Sequence, residues 1–229
     1  MAGTQKLGNC EGTTQNSPQR WAIRLAVSGD LRFISHLDMM RLIRLVAARA
    51  QLPLRYSQGF NPHPILSLPC ARPVGIASQD ELLMLSLDGP IEPELLLARL
   101  NSHAPRGLRF FQAFGHKASR TPKTRQCRYE LNVCPERLGQ VGRRLGELHA
   151  RDRWPVERHT TSRGRSPTTR QIDLKPLISN ITLQDGLLRV TLVPKGDLWA
   201  RPGEVLRLLD LDARVDLAEM VRTAVECEI

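Results

Sequence analysis

Hydrophobic and polar residues first form a regular pattern after residue 20. Large apolar side chains occupy every second position over residues 21–27, the period of a half-buried strand. A turn at 28–30 follows, and Ser35 stands three residues before Asp38, the spacing of a capping box at the start of a helix. This helix is predicted to run to about residue 50, and its apolar face is formed by Met39, Leu42, Ile43, Val46 and Ala50.

Further elements are predicted up to residue 114. Strands are expected at 54–57, 81–87 and 108–114, with a Pro- and Gly-rich loop over 58–75. A helix over 93–102 begins with a proline, which is favoured at the first helical position. The order strand, helix, strand, strand, helix, strand is the split βαβ arrangement of a ferredoxin-like domain.

The same order of elements is predicted again in the second half of the chain. A strand ends near residue 133, and Pro135 opens a helix with an apolar face at 138, 141, 145 and 148. The remaining elements are strands at 154–160, 171–174, 187–193 and 221–227 and a helix at 202–209. The fold class is therefore predicted to be α+β, with two ferredoxin-like halves that each contain an antiparallel sheet.

These patterns predict four segments. Residues 1–20 are polar and are expected to be a flexible leader, and residues 21–115 form the first ferredoxin-like domain. Residues 116–126 are expected to be a basic linker, and residues 127–229 form a second α+β domain with a basic loop at 162–170.

Composition excludes several classes of protein. The chain has 229 residues, of which 41% are hydrophobic, so it is able to bury a core. It contains no run of about 18 apolar residues, so no membrane span is expected. The five cysteines are scattered without a C-x-x-C pair, which argues against a zinc ribbon or a disulfide framework and favours a reducing cytoplasm.

The positive charge is concentrated in the middle of the chain. The formal net charge is +10, and residues 106–170 contain 16 Lys or Arg against 5 Asp or Glu. Arginines on flexible loops suit phosphate groups, because a guanidinium reaches two oxygens at once. The alternative is a solvated linker in a protein from an arginine-rich genome. The residues expected to contact phosphate or nucleic acid are Lys123, Arg125, Arg163, Arg165 and Arg170.

Two short polar clusters are candidates for a site. The first is residues 29–41 and the second is residues 54–64, and both lie near element boundaries, where sites tend to form. We expect these clusters to line one polar site between the first helix and the loop after the second strand. Its substrate-binding residues are predicted to be Arg32, His36, Asp38, Arg41, Tyr56, Gln58, Asn61 and His63.

Each cluster also has a structural explanation. Ser35 and Asp38 fit a helix cap, Arg41 fits an ion pair with Asp38, and His63 lies in a proline-rich turn. Two isolated histidines without a third ligand at usable spacing do not make a metal site, so none is predicted. The chain also lacks a phosphate-binding P-loop, a dinucleotide-binding glycine motif and a nucleophile elbow.

The two clusters resemble the signature of a bacterial family of radical-SAM-linked proteins, a domain of unknown function. Later segments at 170–178, 201–206 and 221–223 are similar as well, so the resemblance covers residues 21–223. In that family the domain is encoded beside, or fused to, a radical SAM protein with a cobalamin-binding region. The resemblance implies a partner of that kind, which would carry the iron–sulfur cluster, SAM and cobalamin, and no cofactor in this chain. The short acidic tail after residue 223 departs from the family pattern.

Three functions are compatible with the sequence. The favoured one is a non-catalytic partner of a cobalamin-dependent radical SAM protein, which binds and presents a substrate expected to be RNA. The second is a nucleotide- or RNA-modifying enzyme in which His36, Asp38 and His63 perform acid–base chemistry. The third is a scaffold that only docks proteins.

Overall fold

A computed structural model describes residues 18–117, 121–160 and 168–228. The strands in these residues are β1 (Pro18–Val27), β2 (Leu66–Ser67), β3 (Ala77–Asp88), β4 (Leu108–Gly115), β5 (Lys123–Asn132), β6 (Pro155–Thr160), β7 (Thr168–Asp173), β8 (Ile178–Gln184), β9 (Leu187–Leu192) and β10 (Val221–Glu228). The α-helices are α1 (His36–Arg49), α2 (Pro93–His103), α3 (Pro135–His149), α4 (Pro202–Leu208) and α5 (Asp216–Glu219). The mixed content and the largely antiparallel sheet confirm the predicted α+β class.

Eight of the strands form one sheet that includes both halves of the chain. Its order is β4-β1-β3-β10-β5-β9-β8, with β2 paired to β3. Neighbours pair antiparallel except for β3 and β10, which pair in parallel at Ala77 and Ser78. Strands β6 and β7 form a separate antiparallel hairpin. The halves therefore do not have separate sheets, and their ferredoxin-like description stays a prediction.

The junction between the halves depends on the length of β3. Strand β3 has twelve residues, whereas β2 has only two and covers β3 only at Met84 and Leu85. Because an uncovered strand edge leaves N–H and C=O groups unpaired, the start of β3 is free to pair with another strand. Strand β10 takes that place and carries the sheet on to β5.

In the described residues, the two largest of three hydrophobic clusters form cores along this sheet. In the first, Ile23 of β1, Ile43 of α1 and Phe110 of β4 are buried together. In the second, Leu131 of β5 and Val141 of α3 are buried. Each such side chain contributes about 1.5–3 kcal/mol when it is fully removed from water.

Two sequence expectations about strands differ from the structure. The strand predicted at 54–57 is wrong, because this stretch makes only single bridges, Leu54 with Leu87 and Tyr56 with Pro64. Prolines at 62 and 64 lack the N–H needed for a ladder, and regular pairing begins only at β2. Strand β8 was not predicted, since a bulge after Ile178 breaks the alternation of buried side chains.

Candidate functional site

The first polar cluster, residues 29–41, begins helix α1. The Asp38 backbone N–H donates to Ser35 Oγ at 3.1 Å, and Ser35 Oγ in turn donates to Asp38 Oδ2 at 2.7 Å. Arg41 Nη1 lies 2.9 Å from Asp38 Oδ1. These hydrogen bonds, first from Ser35 and then from Arg41, hold the pKa of Asp38 below its ordinary value. Asp38 and Arg41 are both exposed, and their contacts are those of a capped helix terminus.

Replacing Ser35 measures how much this helix cap contributes to the stability of the protein. We expect Ser35→Ala to lower the free energy of unfolding by about 1 kcal/mol, because the Asp38 N–H loses its acceptor. Chemical denaturation measures the change. Ser102→Ala, near the exposed end of α2, is the control and should change stability by less than half as much. A loss of several kcal/mol in Ser35→Ala would contradict a role limited to the cap.

Arg32 connects the first cluster to the second half of the chain. Its Nη1 donates to the carbonyl of Ala218, at 2.8 Å, and its guanidinium carbon lies 4.8 Å from the centre of the Phe33 ring. The Arg32 carbonyl accepts from Arg72 Nη1 at 2.8 Å and from the Gly75 N–H at 2.7 Å. Arg32 is therefore tied into the junction between the halves. His36, the first residue of α1, is half-buried.

The second polar cluster forms an exposed loop. Ser57 Oγ shares a hydrogen bond of 3.0 Å with His63 Nδ1 and accepts from the His63 backbone N–H at 3.2 Å. Tyr56, Gln58 and Asn61 are exposed around this turn. In residues 18–117, no hydrogen bond or ion pair connects this loop to the cluster at 29–41. Unlike Arg32, the side chains of Asp38, Arg41 and His63 make their hydrogen bonds within their own cluster.

The predicted basic residues lie in different places. Lys123 and Arg125 belong to β5, and Arg125 Nη2 lies 2.5 Å from Glu228 Oε1 of β10, so its charge is compensated. Arg170 is exposed in β7. Arg163 and Arg165 lie outside the described residues.

A buried charge cluster lies where the halves meet. It consists of Arg72, Glu81 and Arg222, with Glu81 Oε1 2.6 Å from Arg222 Nη2 and 3.3 Å from Arg72 Nε. Arg222 is fully buried. Burial alone would lower the pKa of Arg222, but the negative charge of Glu81 raises it above its ordinary value. One carboxylate thus pairs with two guanidinium groups inside the protein.

Two cysteines lie beside this charge cluster. Cys70 Sγ and Cys127 Sγ are 3.3 Å apart, and Arg222 Nη1 donates to Cys70 Sγ at 3.3 Å. The hydrogen bond with Cys127, opposed by burial and assisted by the charge of Arg222, lowers the pKa of Cys70 to about 6. The same hydrogen bond, and then burial, raise the pKa of Cys127. Of the two thiols, Cys70 is therefore the more easily deprotonated.

Both cysteines line a cavity of about 290 Å³ that also contains Tyr129, Trp199 and Arg201. A second cavity of about 430 Å³ shares Arg201 with the first and adds Arg207. We call these two adjoining cavities the junction groove. The indole of Trp199 is half-buried, and Arg201 and Arg207 are exposed. The groove is therefore lined by one large aromatic side chain and two exposed arginines.

The β6–β7 hairpin is fixed to this groove by Arg158. Arg158 Nε and Nη2 donate to the two carboxylate oxygens of Glu204, each at 2.6 Å, and Nη2 also donates to the Trp199 carbonyl at 2.8 Å. Arg170 stands opposite Arg158 in the hairpin register. Because directly opposed residues project from the same face of a strand pair, Arg170 shares the face that contacts the groove.

Sequence reasoning did not select the residues of the junction groove. Glu81 and Arg222 each stand within a strand pattern, and a charged residue there is a signal that a buried partner exists. The sequence pointed to Arg201 only weakly, because this residue begins one of the later segments that resemble the family, and Trp199 lies two residues before it. In the described parts of the chain, no group of three or more His, Cys, Asp or Glu side chains is arranged to hold a metal ion.

The chain belongs to a bacterial family described as "Uncharacterized protein conserved in bacteria (DUF2344)", whose model matches residues 20–204. No curated protein matches it. Among solved structures it is similar to an unknown protein from Galdieria sulphuraria, with 12% sequence identity over 93% of this chain and 99% of that chain and a TM-score of 0.28. A likeness at that score does not inform the fold or the function. No helix in the described residues is long and apolar enough to cross a membrane.

Proposed function

We propose that this chain is a non-catalytic partner protein of the cytoplasm that binds RNA in the junction groove and presents it to a radical SAM protein with a cobalamin-binding region. The observation that carries the RNA part is the combination of the half-buried Trp199 indole with the exposed Arg201 and Arg207 around one groove. An aromatic face stacks on a base and guanidinium groups contact phosphates, the two contacts that single-stranded RNA requires.

The surface next to the groove supports the same proposal. Arg207 also lines a third cavity, of about 420 Å³, together with Glu157 of β6 and with Arg144 of α3, whose charge is compensated by Glu147 and Asp210. Arg170 projects from the hairpin face that contacts Trp199 through Arg158. A nucleic acid strand that leaves the groove past α4 and the hairpin would therefore meet the exposed Arg207 and Arg170.

The proposal of a radical SAM partner is based on the family resemblance. In the family the domain is encoded beside a radical SAM protein, which is the candidate to act on the RNA that this chain would hold. The iron–sulfur cluster, SAM and cobalamin would belong to that partner.

Titration of a short fluorescein-labelled single-stranded RNA with the purified protein tests RNA binding. We expect affinity to fall as salt rises, because bound arginines release counterions from the RNA. Trp199→Ala should weaken binding about tenfold, the loss of one stacked base. Arg201→Ala combined with Arg207→Ala should weaken it by a similar factor and flatten the salt dependence.

Arg99→Ala is the matched control for charge. Arg99 is exposed on α2, in the other half of the chain, and its loss removes one positive charge without touching the groove. Its affinity should stay within about twofold of the wild-type value, since only a distant screened charge is lost. Equal weakening by Arg99→Ala and the groove variants, or no salt dependence, would contradict RNA binding in the groove. Co-purification with the co-expressed radical SAM protein tests the partner separately.

A further inference from the structure

We propose that Cys70 and Cys127 form a redox-active dithiol that reacts with low-molecular-weight organic disulfides entering the junction groove. Cys70 is the attacking cysteine and Cys127 is the resolving cysteine. The inference does not depend on RNA binding, because it rests on the position of the two sulfurs and of Arg222.

The two sulfurs are already neighbours although 57 positions separate them in the chain. Their separation of 3.3 Å would have to shorten by about 1.3 Å to reach the ~2.05 Å of a disulfide. Cys127 belongs to β5, whereas Cys70 lies in the loop before β3. A bond between them would fasten that loop to the second half of the sheet.

The surroundings assign the two roles. Both cysteines line the cavity, but Cys70 is half-buried whereas Cys127 lies deeper, with 1% of its surface exposed, so Cys70 is the more accessible of the two. Arg222 Nη1 is 3.3 Å from Cys70 Sγ, so a fixed positive charge stands beside the sulfur that must be a thiolate to attack. The cavity, at about 290 Å³, is near the lower end of the size range of small-molecule sites.

The other described cysteines lack this arrangement. Cys134 is exposed at the start of α3. Cys227 of β10 contacts Thr124 Oγ1, with its sulfur 3.8 Å away. Cys10 lies outside the described residues. The pair at 70 and 127 therefore combines access, an adjacent second thiol and a neighbouring guanidinium.

The reaction is a thiol–disulfide exchange in two steps. The Cys70 thiolate attacks one sulfur of the organic disulfide, the sulfur–sulfur bond of that molecule breaks, and its second half leaves as a thiolate. Cys127 then loses its proton and attacks the Cys70 sulfur, which releases the first half as a second thiolate that takes up the proton. Two electrons pass from the cysteines to the organic disulfide, and the protein keeps one internal disulfide.

Oxidised glutathione is the probe. The reduced full-length protein is incubated with it, free thiols are blocked with N-ethylmaleimide, and the digested protein is mapped without reduction. We expect a peptide pair linked through Cys70 and Cys127 and a loss of two of the five free thiols. In Cys127→Ser the reaction should stop at Cys70 carrying one glutathionyl group. Cys134→Ser is the control and should form the internal disulfide as the wild type does.

Three outcomes would overturn the proposal. They are Cys70 unmodified while Cys134 is modified, a disulfide that joins a different pair, or no stable mixed disulfide at Cys70 in a folded Cys127→Ser variant. Circular dichroism establishes whether that variant is folded. If Cys127→Ser does not fold, the peptide map of the wild-type protein still tests the proposal, because it identifies directly which two cysteines are linked.

Discussion

Glu81→Gln is expected to lower the free energy of unfolding by about 3–5 kcal/mol, the cost of breaking a buried ion pair from one side. Glu81 is the carboxylate that balances both Arg72 and Arg222, and Arg222 has no exposed surface. Glutamine keeps the shape and removes the charge, so both buried guanidinium groups would lose the carboxylate that pairs with them, while Arg222 would retain its contact with the Cys70 sulfur. Urea denaturation measures the loss, which should appear in the midpoint with little change in slope.

Glu226→Gln is the matched control. Glu226 lies on β10, the strand that carries Arg222, and forms an ion pair with Arg128, in which both side chains are largely exposed. The same chemical change there should cost less than about 1 kcal/mol, because exposed ion pairs are screened by water. Similar losses in the two variants would show that the buried charges are better solvated than their contacts indicate.

Glu204→Gln should cost about 1.5–3 kcal/mol, the range for a hydrogen bond to a charged group. Its carboxylate accepts two hydrogen bonds from Arg158 and one, at 2.9 Å, from the Arg201 N–H. Glutamine keeps one acceptor oxygen but places an amide against the guanidinium. Because these contacts join the β6–β7 hairpin to α4, hydrogen exchange of the hairpin amides should also accelerate.

The effect of Glu204 should depend on pH. Burial alone would raise the pKa of Glu204, but the hydrogen bonds from Arg158 and the Arg201 N–H outweigh it and hold the pKa below its ordinary value. A carboxylate whose pKa is lowered by folding contributes its full stabilisation above its pKa in the unfolded chain, about 4.3. That contribution is lost as the pH falls through its lower pKa in the folded protein. The difference between the wild type and Glu204→Gln should therefore be largest at neutral pH and shrink in acid.

Glu157→Gln controls for the loss of a carboxylate from the hairpin. Glu157 lies in β6 next to Arg158 in sequence, and its side chain is exposed. Its replacement should leave both the stability and the exchange of the hairpin amides nearly unchanged. If the difference in stability between the wild type and Glu204→Gln were as large in acid as at neutral pH, it would not come from the ion pair between Arg158 and Glu204.

Local patterns predicted the elements that bury one regular face. Helix α3 shows this, because apolar residues recur at helical spacing after Pro135 and three of them are buried in the structure. The start of α1 was predictable for a different local reason, since Ser35 and Asp38 lie within one turn and cap the helix. The hydrophobic pattern did not predict β8, because a bulge shifts the buried face of that strand. It wrongly predicted a strand at 54–57, where prolines prevent regular pairing.

The candidate site was only partly accessible to the same reasoning. The clusters at 29–41 and 54–64 stood out because polar residues are dense there, and their contacts in the structure are mostly within each cluster. The junction groove has no dense motif, since Cys70, Cys127 and Trp199 are contributed by three distant segments.

By itself, the sequence determined the α+β class, most helices and strands, the cap at Ser35 and the position of the positive charge. The tertiary structure alone decided that β3 pairs with β10, that Glu81 faces Arg222, and that Cys70 meets Cys127. The physical reason is the range of the interactions. Periodic burial and helix caps act between residues a few positions apart, whereas a buried charge or thiol in a strand shows only that a partner is needed, and the path of the chain determines which one it meets.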